Sequence, residues 1–244
     1  MEKPRLRKRK LLPFFDSINN PEFDHFPQGI AVDSTPPQPD LSPFDSDILA
    51  VCGTFGHRAH PDDFRALLRA YPKILQQIQI AVDGEIFPGR STKSEFLEDL
   101  ITIWFKKHGF EHIFCGSIHR GQLKGMHYVG RYLQLQQQGL AGKLPDNQHQ
   151  QEVIEGAVYT IGVLLQYGSR IIIDRRTGYA LISDAVELLI AATQAFKLKD
   201  RPNSVCTFPV VDVDSGHTYP AVFVKEDNAI VTFYPDATPT DPQC

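Results

Sequence analysis

Gly109-Phe110-Glu111-His112-Ile113-Phe114-Cys115-Gly116-Ser117-Ile118-His119-Arg120-Gly121-Gln122-Leu123-Lys124-Gly125-Met126-His127-Tyr128 is the stretch on which the reading of this chain turns. Glu111-His112 leads what reads as a short apolar strand. A polar turn at Gly121 and a returning strand follow. A hairpin brings its two ends together, so His112 and His127 are expected to face one another. Two opposed imidazoles can serve as general acid and general base near neutral pH. Gly125, two residues before His127, suits close approach of a bulky ligand.

Upstream, residues 61–80 place Phe64, Leu67, Leu68, Tyr71, Ile74, Leu75 and Ile78 at helical spacing, with Pro61 and Asp62-Asp63 fit for a first turn. Pro72 must break or kink that pattern, which leaves one bent helix or two short ones. Thr92 with Glu95 forms a capping box that opens a helix through Trp104, closed by Lys106-Lys107-His108-Gly109. Residues 134–151 are glutamine-rich and read as a loop or a frayed surface helix. Strands are expected at 157–165 and 170–173, with a hairpin turn at Asp174-Arg175-Arg176-Thr177-Gly178. Asp184 and Glu187 can cap a helix through Phe196. Residues 205–213, 219–225 and 229–234 then read as an antiparallel meander, split by Asp214-Ser215-Gly216-His217 and Glu226-Asp227-Asn228. Helices and strands that cluster rather than alternate give an α+β fold class. The organisation is an irregular basic and proline-rich segment (1–47), a helical N-terminal lobe (48–105) and a catalytic region of two antiparallel sheets flanked by helices (106–244).

The chain has 244 residues and a net charge of −4. The first ten carry six cations and one anion, so the rest is close to −9. That balance argues against a strong sequence-independent nucleic-acid binder, though not against an enzyme with a locally positive cleft. The basic start is either a solvated tail or an arm touching RNA or a membrane. No apolar run reaches the ~20 residues of a membrane span, and 11–15 is too short for a signal-peptide core. Cys52, Cys115, Cys206 and Cys244 are scattered without C-x-x-C, which suggests neither a zinc site nor a disulfide framework, and a reducing cytoplasmic compartment. His57, His60 and His217 read as structural or exposed, and Asp212 and Asp214 as turn caps. There is no H-E-x-x-H, P-loop or G-x-S-x-G. No histidine has Ser or Thr two places on, which excludes the paired H-x-[ST] phosphoesterases.

Gly-Phe-Glu-His-Ile-Phe, the Gly-x-His fifteen residues on, and the terminal Ile230-Val231-Thr232-Phe233-Tyr234-Pro235 together resemble the EndoU endoribonuclease family over about residues 106–236. The resemblance implies cleavage of single-stranded RNA at uridines to 2',3'-cyclic phosphate ends. It implies His112 on the acid side and His127 on the base side. The family's phosphorane-stabilising lysine is missing, since no lysine lies between Lys143 and Lys197. Arg176, or else Arg175 or Arg170, must then stand in. Tyr234 would stack on base or ribose, and Thr177 or Thr232 would bond the uracil edge. No cofactor is required, and manganese is a weak alternative. The partner implied is RNA, with a protein inhibitor left open. The rival reading is an EndoU-like RNA-binding module whose catalysis has weakened.

Overall fold

The computed structural model describes residues 11–18, 22–23, 31–145, 152–199 and 201–244. The basic run at 3–10 and residues 146–151 lie outside them. Two short strands, β1 (Glu22–Phe23) and β2 (Ala31–Val32), precede four helices: α1 (Pro43–Cys52), α2 (Pro61–Ala70), α3 (Pro72–Ala81) and α4 (Lys93–Phe105). The break between α2 and α3 falls at Tyr71, so Pro72 makes two helices, each with a proline in its first turn. The α4 capping box forms in both directions. Helix α1 starts inside the stretch expected to be irregular. Its signal was a second capping box, Ser42 with Asp45.

A π-helical turn, Glu111–Cys115, comes next, then β3 (Ser117–His119), β4 (Gln122–Lys124) and α5 (Val129–Gln137). The first limb of the histidine hairpin is therefore helical where a strand was expected; only 117–124 pair as strands. Within the glutamine-rich stretch, Gln136 is a structural residue. Its Oε1 accepts from the Phe14 and Phe15 amides at 2.5 and 3.0 Å, and its Nε2 donates to the Phe15 carbonyl at 2.9 Å.

Strands β5 (Ala141–Lys143), β6 (Glu152–Ile154), β7 (Val158–Tyr167) and β8 (Arg170–Ala180) form one antiparallel sheet. Strand β8 takes one edge of β7, and β5 and β6 share the other. The turn lies at Gly168-Ser169, and β8 runs straight through 174–178, where a turn was expected. Ile161 pairs with Thr177 and Val163 with Asp174, so β8 carries one extra residue, a bulge at Arg175-Arg176. Helix α6 (Ala185–Lys197), capped by Asp184, leads to the meander β9 (Ser204–Val211), β10 (Thr218–Glu226) and β11 (Ala229–Pro235), as expected. Asp212 accepts from the Ser215 amide and holds the β9–β10 turn.

One hydrophobic core joins the helices to both sheets, through Phe64, Trp104, Phe114, Tyr128, Tyr179 and Phe233. Buried Asp45 accepts from the Tyr128 hydroxyl at 2.7 Å and the Ala185 amide at 2.9 Å, tying α1 to the second histidine's neighbour and to the start of α6. No helix among the described residues is long and apolar enough to cross a membrane.

The cysteine reading is overturned. Cys52 pairs with Cys115 and Cys206 with Cys244, closing separations of 63 and 38 residues. Scattered spacing concealed the pairs because each partner comes from a different element, and the thiol-based argument for a reducing compartment goes with it. Buried Arg131 reinforces the first link: it donates to the Cys115 and Gly53 carbonyls, both at 3.0 Å. Thiol titration of the unreduced, denatured protein is expected to find no free thiol among the four cysteines. Cys52→Ala/Cys115→Ala should cost about 2–4 kcal/mol, a fall in Tm of roughly 5–15 °C. Free thiols, or an unmoved Tm, would refute the pairing.

Candidate active site

The π-helical turn and the segment after β4 are stitched backbone to backbone. The Met126 amide donates to the His112 carbonyl at 2.7 Å, and the His127 amide to the Ile113 carbonyl at 2.8 Å. Gly125 makes this possible. Its φ is +71°, and a Cβ there would lie 1.9 Å from the His112 carbonyl oxygen. What the glycine admits is thus the other histidine's backbone rather than a ligand. Gly109, before the turn, is equally confined, because a Cβ would sit 2.5 Å from the Ile230 carbonyl oxygen of β11.

The stitch sets the His112 and His127 rings 5.5 Å apart between centroids. Tyr234, on β11, lies 5.4 Å from the His127 ring. His127 Nδ1 is 3.1 Å from the Gly178 carbonyl of β8. A carbonyl only accepts, so Nδ1 carries the proton and Nε2 holds the free lone pair. Burial, and then the neighbouring His112, bring the His127 imidazole down to about 3, although the Gly178 bond pulls upward. His112 is also held below its ordinary value, by burial and then by the charge of Lys124.

Both rings open onto a cleft of about 400 Å³. Arg176, Thr177, Thr232 and Tyr234 line it too, so the fold brings together the candidates from the sequence except Arg175 and the alternative cation Arg170, which are exposed outside it. The two threonines differ. Thr177 Oγ1 lies 3.2 Å from the buried Tyr132 hydroxyl. Thr232 Oγ1 is buried with no hydrogen-bond partner among the described residues. Tyr234 is half-buried; burial, with Asp236 and Asp241, raises its phenol against the opposing pull of Arg176. Thr160, Gly178 and Asp236 also line the cleft. Of these only Gly178 left a trace in the sequence, as a glycine whose Cβ would meet the Tyr159 carbonyl oxygen at 2.5 Å. His60 caps α2, and His57 and His217 are exposed. Among the described residues, no three His, Cys, Asp or Glu side chains gather as metal ligands.

A neutral imidazole with a free Nε2, a second imidazole across a short gap and a cation on the rim can move two protons about one phosphate. Residues 106–237 match the family model for bacterial EndoU nuclease. No curated protein matches the chain. Among solved structures, the chain is similar to XendoU, a splicing-independent snoRNA-processing endoribonuclease. The TM-score is 0.52 at 16% identity, over 81% of this chain and 78% of that one, a likeness of fold. It is also distantly similar to an endoribonuclease encoded by Middle East Respiratory Syndrome coronavirus, at TM-score 0.39 and 14% identity, over 57% of this chain and 37% of that one.

Gly125→Ala tests the stitch against Gly121→Ala. Both positions have positive φ, but a Cβ at Gly121 meets nothing within 4 Å. Gly121→Ala should cost about 1 kcal/mol, and Gly125→Ala at least 2–3 kcal/mol more, roughly 5–10 °C of extra Tm loss. Equal melting of the two variants would remove the stitch from the account.

Proposed function

We propose that this chain, which belongs to the bacterial EndoU nuclease family, cuts single-stranded RNA at uridines by two-histidine acid–base catalysis. An RNA-cleaving nuclease follows from the family. The observation that supports the finer reading is the pair of imidazoles 5.5 Å apart on one cleft, with His127 oriented by Gly178.

His127 Nε2 takes the proton from the ribose 2'-hydroxyl, whose oxygen attacks phosphorus. His112 gives a proton to the departing 5'-oxygen. The products are a 2',3'-cyclic phosphate and a free 5'-hydroxyl. Arg176 neutralises charge on the phosphorane with a planar fork suited to phosphate oxygens. Tyr234 stacks on the base or ribose. Thr232, whose hydroxyl is uncommitted, is the better reader of the uracil edge than Thr177. Arg175 is left with at most the flanking backbone. No step of this scheme is routed through a metal, and manganese stays the weaker alternative. The two disulfides favour an oxidising compartment over the cytoplasm.

The pH dependence has a definite sign. His127 stays neutral down to about 3, and His112 loses its proton below 6.5. Neutral base and protonated acid coexist above about 3 and below the lowered His112 value, so kcat/KM should peak on the acid side of 6.5 and fall as pH rises further. Stability moves the other way. The unfolded histidines protonate near 6.5 and the folded ones resist, so stability present above 6.5 is lost as pH drops toward 3.

The test is a fluorescent oligomer with one uridine, with chelator and with manganese. Chelator should leave cleavage unchanged. His112→Ala and His127→Ala should each slow it by about 10²–10⁴-fold. Arg176→Ala should cost about 10²–10³-fold, with much recovered in Arg176→Lys. Activity that survives His112→Ala would sink the mechanism. Tight RNA binding with no cleavage would turn the reading to the weakened binding module.

A further inference from the structure

The Tyr132 ring, on α5, is fully buried against Phe14 and Tyr179. Its hydroxyl is 2.7 Å from the Met126 carbonyl oxygen and 3.2 Å from Thr177 Oγ1. Burial raises the phenol far above its ordinary value, so it stays a hydroxyl with one proton. The Met126 carbonyl can only accept, so that proton goes to it. Thr177 must then donate to the Tyr132 oxygen. Both directions are fixed.

These two contacts bracket His127. Met126 precedes it in the chain, and Met126 has φ +71°, a left-handed backbone that a side-chain-bearing residue rarely adopts. Thr177 precedes Gly178, whose carbonyl holds the His127 Nδ1 proton. One hydroxyl therefore ties the backbone that carries the imidazole to the strand that orients it.

We propose that Tyr132 is the positioning residue for His127. Through Met126 and Thr177 it locks the ring in the Nδ1-protonated tautomer, leaving the Nε2 lone pair for the cleft. This rests on the two-histidine reading for its consequence in catalysis, but the tautomer itself is measurable without RNA. It also leaves Thr177 only an acceptor for the base edge, since the Thr177 proton is spent on Tyr132.

The experiment is Tyr132→Phe in the full chain, read two ways. Imidazole ¹⁵N spectra of the wild type should show His127 protonated at Nδ1; in the variant, signals of both tautomers should appear. On a uridine oligomer, kcat should fall by about 10- to 100-fold, the usual cost of losing a partner that orients a functional histidine, with KM within about twofold. Thr177→Val cuts only the β8 side and should move both readouts the same way by less, which keeps the test alive if Tyr132→Phe does not fold. Tyr159→Phe is the control: it loses a buried hydroxyl bonded to the Asp33 carbonyl instead, and should leave the His127 tautomer alone. A folded Tyr132→Phe or Thr177→Val with wild-type tautomer and wild-type kcat overturns the proposal. If His127→Ala still cuts RNA while Tyr132→Phe mixes the tautomers, the two-histidine mechanism has failed and the positioning role stands.

Discussion

Everything at the cleft depends on two backbone hydrogen bonds between 112–113 and 126–127, and on the absence of a side chain at Gly125. They fix the imidazoles through their own main chain rather than through long side-chain arms. Placement by main chain costs little further entropy, because the amides and carbonyls are already immobilised. It also explains the neighbouring geometry. Residues 113–115 and 126 are fully or almost fully buried, and Cys115 is bonded to Cys52 at the end of α1. The helical residues of the N-terminal half thus brace the turn that carries His112, and the site is not the property of the sheets alone.

That bracing sets the electrostatics. Two imidazoles held close in a half-buried cleft cannot both carry charge, since burial disfavours the cation and each cation disfavours the other. The asymmetry between them comes from their partners. His127 is the more deeply buried and is held through Nδ1. His112 faces Lys124, a cation outside the cleft lining, and its shift is the smaller. Burial thus separates two identical groups, one held firmly neutral and one shifted less from its ordinary value.

Where local chemistry decides, the sequence was readable. Pro72 split a helix, Thr92 and Asp184 opened helices, and the polar turns of the final meander lay where the strands reverse. The convergence of His112 and His127 was also legible, though its cause was not. A strand was read into Glu111–Cys115 because apolar residues dominate, and a five-residue apolar run has no period that separates a strand from a buried helical turn. The supposed turn at 174–178 contained Asp, Thr and Gly, but β8 is held there by pairing with β7, which no local signal reports. Tertiary pairing also hid the disulfides, Gln136 and Tyr132, because each owes its role to a partner far along the chain.

The bulge in β8 decides where Arg176, proposed for the missing lysine's place, is set. Ile172 is buried on the inner face, and strict alternation would send 174, 176 and 178 inward after it. The extra residue resets the phase. Thr177 becomes the inward residue, within reach of Tyr132, and Arg175 and Arg176 are both left outside. Without it, Arg176 would point at the core beneath α5, and Thr177 at solvent. A single inserted position therefore delivers the cation to the cleft and the hydroxyl to the network beneath it. An arginine at this place has a longer reach than a lysine and a planar fork for phosphate oxygens.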